Sequence, residues 1–272
     1  MLEPLPHTNV LRELEVSLTH RCTLACGECG FFVRQQPVPH KGVAHVAITE
    51  GLDQLLRLGL VVQRLVIVGG EPTLARETLS EVCRYASACE GIRELELVTN
   101  GLSPDRVDAR LLHQVDRLVI SEYLDGPELL DTWRAWVEMV APETEVIGRR
   151  HATWDQWTGD ACVEADKALE FWRSCWYRKH CITLERGCLF SCSRIAKLGR
   201  DHEGLQLKEV VSLDDVREWL NADRALPSCM TCIPMMGLPR VPAGVQPDER
   251  LERLAPRALH ILKKRLERSC LK

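Results

Sequence analysis

The sequence predicts an α/β fold on a parallel sheet, either open or curled into a full or partial barrel. Two observations predict it: strand-like runs alternate with helix-like runs through the first 140 residues, and the segments richest in chemistry fall just after strands. Parallel strands joined by helices take right-handed crossovers and gather ligands at their C-terminal ends.

Residues 13–18 alternate polar and apolar side chains, as a strand with one buried face does, and lead directly into a cysteine loop, LTHRCTLACGECG. In 48–60 the apolar residues Ile48, Leu52, Leu55 and Leu56 fall at helical spacing behind Thr49, a suitable N-cap, and 64–68 is a near-continuous apolar strand. Helices over 78–88, 104–114 and 127–140 then alternate with strands over 94–99 and 117–121. The cysteine loop, Gly69-Gly70-Glu71, Thr99-Asn100-Gly101 and Ser121-Glu122-Tyr123 therefore meet on one rim. Residues 143–171 carry charges without a clean period and are expected to be a linker and helix. Residues 182–192 predict a β-hairpin turning at Gly187, with Cys188 and Cys192 on one strand face. Pro234, Pro239, Pro242 and Pro247 mark a semi-rigid connection to a final helix over 248–268 that is basic at its end.

With 45% hydrophobic and 27% charged residues and a net charge of −4, the chain reads as an ordinary globular protein without a polyanion-binding surface, so nucleic acid is not an expected partner. The N-terminus lacks the basic start and apolar core of a signal peptide, and no run approaches a membrane span, so a cytoplasmic location is expected. Thirteen cysteines in such a chain point to metal ligands and buried thiols rather than a disulfide framework.

Cys22, Cys26 and Cys29 form a C-x3-C-x2-C spacing that this cysteine content would give by chance about 0.03 times. Three thiolates on one tight loop suit an iron–sulfur cluster or a zinc ion and leave one metal position open. A structural zinc site would close with a fourth ligand, for which His20 and His40 are the nearest imidazoles.

On LTHRCTLACGEC, Val68-Gly69-Gly70-Glu71-Pro72-Thr73 and Val98-Thr99-Asn100-Gly101, the chain resembles the radical S-adenosylmethionine enzymes over roughly 14–140. The resemblance implies a partial (β/α)6 barrel in which Cys22, Cys26 and Cys29 hold a catalytic [4Fe-4S] cluster. The cluster's fourth iron would bind the methionine moiety of S-adenosylmethionine, which is cleaved to a 5′-deoxyadenosyl radical on reduction by a donor such as flavodoxin or ferredoxin. It further implies that Gly69, Gly70 and Glu71 approach the methionine end and that Asn100 and Ser121 contact ribose or carboxylate. The chain departs from the family at Glu28, where the residue before the third cysteine is commonly aromatic or His.

A second group comprises Cys175, Cys181, Cys188 and Cys192, followed by Cys229 and Cys232. A lone C-x2-C would arise by chance about 0.6 times, but beside the hairpin it gains weight. The arrangement resembles the twitch domain, a shortened SPASM domain, which implies a second, auxiliary [4Fe-4S] cluster on Cys192, Cys229, Cys232 and either Cys175 or Cys181. Four thiolates would equally close a zinc site. The expected organisation is a barrel core over 1–150, a linker and cluster-binding hairpin-plus-helix domain over 151–240, and a C-terminal helix over 241–272. Cys83 is expected to be a small buried hydrophobe, and so is Cys162, whose alternative is a hydrogen-atom donor near the radical; Glu122 and Tyr123, like His151, either touch substrate or are solvated or packed loop residues.

The expected function is radical abstraction of a hydrogen atom from a small molecule, a sugar or aminocyclitol by analogy, with the auxiliary cluster supporting net oxidation. The rivals are an epimerase with a cysteine hydrogen donor, a peptide-modifying enzyme, and a non-catalytic zinc module. About a dozen residues precede the first expected strand, little room for a leader-binding domain, which favours the small molecule.

Overall fold

The computed structural model describes residues 8–35, 45–123 and 126–270; His40 lies outside them. The chain runs β1 (Val10–Ser17), α1 (His45–Arg57), β2 (Val61–Val68), α2 (Arg76–Ser87), β3 (Leu95–Thr99), α3 (Ala109–Leu112), β4 (Arg117–Glu122), α4 (Glu128–Val140) and β5 (Glu145–Arg150). It continues through β6 (Thr153–Trp154), α5 (Ala165–Ser174), α6 (Tyr177–His180), β7 (Thr183–Glu185), β8 (Cys188–Phe190) and α7 (Ser193–Lys197). The remaining elements are β9 (Leu205–Gln206), α8 (Leu213–Asn221), α9 (Pro227–Met230), β10 (Val241–Pro242) and α10 (Arg250–Cys270). No helix among the described residues is long and apolar enough to cross a membrane.

One sheet of eight strands, in the order β5-β4-β3-β2-β1-β7-β8-β9, organises the fold. Its first six strands are parallel, as a partial (β/α)6 barrel requires, and β8 and β9 turn back antiparallel. The sixth parallel strand is β7, the first arm of the hairpin, which docks on the free side of β1 through Glu15 N–H donating to Ile182 O at 2.8 Å. The hairpin is thus continuous with the barrel sheet.

Side-chain alternation gives the sheet two different faces. Leu14, Val16, Leu65, Ile67, Leu95, Leu97, Leu118 and Ile120 face the helices and form the core with Leu52, Leu55, Leu79, Val82, Cys83, Trp133 and Val137. Cys83 is the small buried hydrophobe expected, whereas Cys162, also expected to be buried, is exposed. The other face carries charges paired across strands: Arg64 with Glu13 at 3.0 Å and Glu94 at 2.9 Å, Arg117 with Glu96 and Glu145 at 3.1 Å each, and Arg149 with Glu96 at 3.3 Å.

Three expectations are corrected. The helix expected over 104–114 is a 3-10 turn, Pro104–Arg106, and a separate single turn, α3; Val107 is extended, and Asp108 restarts the helix by accepting from Leu111 N–H at 3.0 Å. The expected linker over 143–171 contains β5, a strand with few apolar residues because its outer half is exposed. The second hairpin strand ends at Phe190, so Cys188 and Cys192 share no strand face; Cys188 lies within the apolar cluster of Trp172 and Phe190, and Cys192 is the N-cap residue of α7.

Candidate active site and a second cysteine cavity

At the C-terminal ends of the parallel strands lies a cavity of about 710 Å³. Cys22, Cys26, Cys29, Gly69, Gly70, Asn100 and Ser121 all line it, as do Tyr123 and His151; Glu71, Glu122 and Cys162 do not. Aromatic residues that sequence reasoning did not single out as a group, Trp154, Trp157, Trp176 and Tyr177, form much of the remaining wall.

The cysteine loop is held by backbone contacts with the loop after β2. Gly70 N–H donates to Thr19 O at 2.7 Å and Glu71 N–H to Arg21 O at 2.8 Å. A Cβ at Gly69 would stand 2.6 Å from Thr19 O, and one at Gly70 2.3 Å from Arg21 O. The glycines are therefore required first by the cysteine loop itself, which presses on them, whatever also approaches from the cavity. Glu71 lies behind the glycines rather than on the cavity wall. Its carboxylate is fully buried and accepts from Thr73 N–H at 3.1 Å, Thr73 Oγ1 at 2.6 Å, Thr99 Oγ1 at 2.7 Å and Asn100 N–H at 2.9 Å. It binds three rim segments together, and both oxygens are spent on that work; burial raises its pKa, a rise those hydrogen bonds only partly offset.

Around the thiols, Asn100 Nδ2 donates to Thr23 Oγ1 at 2.9 Å and lies 3.8 Å from Cys22 Sγ. Gln246, from the far end of the chain, accepts from Ala25 N–H at 2.8 Å and points Nε2 at Cys26 Sγ at 3.0 Å, while Gly27 N–H donates to Val245 O at 2.8 Å. Nothing local in the sequence marks Gln246, which lies 220 residues from its partner. Glu28, at φ +50°, points away from the cavity wall and accepts from Trp157 and Thr158 N–H at 2.7 Å each, which seats the Trp157 indole on Gly30. His20 is not beside the thiols; it pairs with Glu185 at 2.9 Å in a buried cluster with Lys197 and Ser17.

Burial pushes the Cys22 thiol up to about 12, with Glu71 adding to it, and Cys26 to about 11, and it raises Cys29 as well. These thiols are neutral without metal, so ligation would release protons.

A smaller cavity lies beside the first, and Met235 lines both. Cys175, Cys192, Cys229 and Cys232 surround it, each at a helix end: Cys175 after α5, Cys192 before α7, Cys229 within α9, and Cys232 at the start of the 3-10 turn Ile233–Met236. Cys181 does not line it; it follows α6 and lies against Glu15, and burial together with the charge of that carboxyl raises its thiol. Of Cys175 and Cys181, it is Cys175 that shares the cavity with Cys192, Cys229 and Cys232. The same cavity is lined by Arg178, Arg194 and Ser191, whose Nε, Nε and Oγ atoms are buried and find no hydrogen-bond partner among the described residues.

Among the described residues no three His, Cys, Asp or Glu side chains converge on a point that one metal ion would occupy. A zinc ion draws its donors to about 2.3 Å from one centre. Around the smaller cavity, four thiols arranged about a space and accompanied by unsatisfied donors fit a polynuclear sulfide cluster.

No protein-family model matches the chain. A GTP 3′,8-cyclase from Aquifex aeolicus is 32% identical over 126 residues, which are 43% of this chain and 37% of that protein. Another from Peptoclostridium acidaminophilum is 36% identical over 93 residues, 33% of this chain and 27% of that protein. Molybdenum cofactor biosynthesis protein 1 from Homo sapiens is 31% identical over 110 residues, 40% of this chain and 16% of that protein. The similarity spans less than half the length of each of these relatives. A crystal structure of Streptococcus suis SuiB bound to precursor peptide SuiA shows a looser likeness, with a TM-score of 0.34 and 12% identity over 77% of this chain and 64% of that one.

Proposed function

We propose, from the kinship of this chain with the radical S-adenosylmethionine enzymes, that it oxidises a small molecule, of the sugar or aminocyclitol class, in the 710 Å³ cavity. The observation that carries the reading is one cavity lined both by the Cys22, Cys26 and Cys29 thiols and by Met235, which also lines the four-cysteine cavity.

In this reading Cys22, Cys26 and Cys29 ligate the catalytic cluster, with Gln246 and Asn100 fixing the loop. Gly69 and Gly70 let the loop pack closely, and Asn100 and Ser121 face S-adenosylmethionine. Cys175, Cys192, Cys229 and Cys232 hold the auxiliary cluster within the part of the chain over 151–240. Bound cluster and S-adenosylmethionine supply a 5′-deoxyadenosyl radical able to take a substrate hydrogen atom. A cluster on Cys175, Cys192, Cys229 and Cys232 would supply a one-electron acceptor beside the cavity, which a net two-electron oxidation of the substrate needs. The aromatic walls keep water and stray hydrogen donors out. An external one-electron donor such as flavodoxin or ferredoxin supplies the reducing electron. Epimerisation is disfavoured because, among the described residues, the triad provides the only thiols lining the cavity.

The test is iron and sulfide content after anaerobic reconstitution. Wild type should hold about eight irons, and the variant C22A/C26A/C29A about four. A wild type with about four and a variant with none would remove the auxiliary cluster and, with it, the oxidative reading.

A further inference from the structure

Arg178, Ser191 and Arg194 form an unsatisfied ring of donors around the four-cysteine cavity. Arg194 donates Nη1 to Ser228 O at 3.1 Å and Nη2 to Thr231 O at 2.7 Å, so its plane is fixed by the carbonyls flanking Cys229 and Cys232. Arg178 donates Nη2 to Leu220 O at 2.8 Å, and its guanidinium lies 4.3 Å from the centre of the Trp172 ring. Both guanidiniums are thereby immobilised with Nε unpaired, and the arginines are only 7% exposed each; the Ser191 hydroxyl, at 1% exposure, is unpaired as well. A buried donor without an acceptor is costly, and three of them on one small cavity are not an accident of packing. The acceptors with the right chemistry are sulfurs, which the four thiols and an inorganic sulfide cluster would supply.

Resting on the two-cluster reading, the geometry points to Arg178, Ser191 and Arg194 as hydrogen-bond donors to the auxiliary cluster's sulfurs, positioning residues that hold its reduction potential high. Reduction adds negative charge to the cluster, and hydrogen bonds to its sulfurs, like the two fixed cations, favour that added charge. A cluster so surrounded accepts an electron more readily than the same four thiolates would in an apolar pocket.

The experiment is a spectroelectrochemical titration of the auxiliary cluster in the full-length C22A/C26A/C29A background, where it is the sole iron site, with S191A, R178K and R194K added singly. The lysine variants keep the charge and remove the Nε donor; S191A removes one hydroxyl and is the least disruptive. The expected result is a midpoint potential displaced to more negative values in each variant, with iron content still about four per chain. An unchanged potential in S191A and in the lysine variants that retain their iron overturns the inference while leaving the two-cluster reading intact. A background protein without iron overturns the two-cluster reading, and this inference with it. A purely structural role would lower thermal stability or iron occupancy without moving the potential.

Discussion

Two buried carboxyls near one ammonium end on opposite sides of the ordinary carboxylate value. Lys197 Nζ donates to Glu185 and Ser17, and His20 also reaches Glu185; burial opposes ionisation, but the Lys197 charge, the His20 hydrogen bond and Arg186 prevail and hold Glu185 down at about 2. Glu15 lies at the cavity wall, where burial outweighs Lys197 and the hydrogen bonds from Thr183 and Cys181, and its pKa rises to about 7. The signs of their contributions differ. Glu185, lowered on folding, stabilises fully above its unfolded value of 4.5, and that stability is lost as pH falls toward about 2. Glu15, raised on folding, stabilises below 4.5 and loses that contribution as pH rises through about 7. Urea unfolding across pH checks both. E185Q should lose roughly 3–5 kcal/mol at pH 7, because Lys197 keeps its charge without its anion. E15Q should match wild type near pH 4 and exceed it in stability at pH 8. None of this is visible in sequence: Glu15 and Glu185 alternate correctly on strands, but their shared cation comes from a helix beyond the hairpin.

Strands β1 to β4 and helices α1, α2 and α4 are legible because their alternation or helical spacing is local, and the cysteine spacing is legible for the same reason. The hairpin is legible from its turn, where Arg186 and Gly187 both take positive φ. What is lost is anything decided by a distant neighbour. Strand β5 hides because only its pairing with β4 makes a strand of a charged segment, and the role of β7 as a sheet strand depends on the exposed side of β1. The glycine pair after β2 was readable as permissive backbone, but its reason is the loop pressed against it. G70A should therefore cost roughly 1–3 kcal/mol by urea unfolding and reduce iron at the triad, since the nearest obstacle is rigid backbone, Arg21 O.

Across the molecule, α10 ties the catalytic rim to the outer helices. Ala255 and Ala258 pack with Leu24, Cys26 and Leu102, Lys263 pairs with Glu128 at 2.9 Å, and the Arg265 guanidinium lies 4.5 Å from the centre of the Trp136 ring. A chain ending at residue 248 should lose roughly 10 °C in Tm by calorimetry. Its triad should lose iron in preference to the four-cysteine site, whose cavity no described residue of α10 lines. The helix was predictable as an amphipathic surface element, but which face of the barrel it covers was not.

The bracing of the cysteine loop has a consequence for the order of biosynthesis. Val245 and Gln246, which hold Gly27, Ala25 and Cys26, are made more than 200 residues after Cys22 to Cys29. Strand β1 waits similarly for its second neighbour, β7. The cysteine loop is thus translated well before its braces and reaches its finished form only after Val245 and Gln246 have joined it.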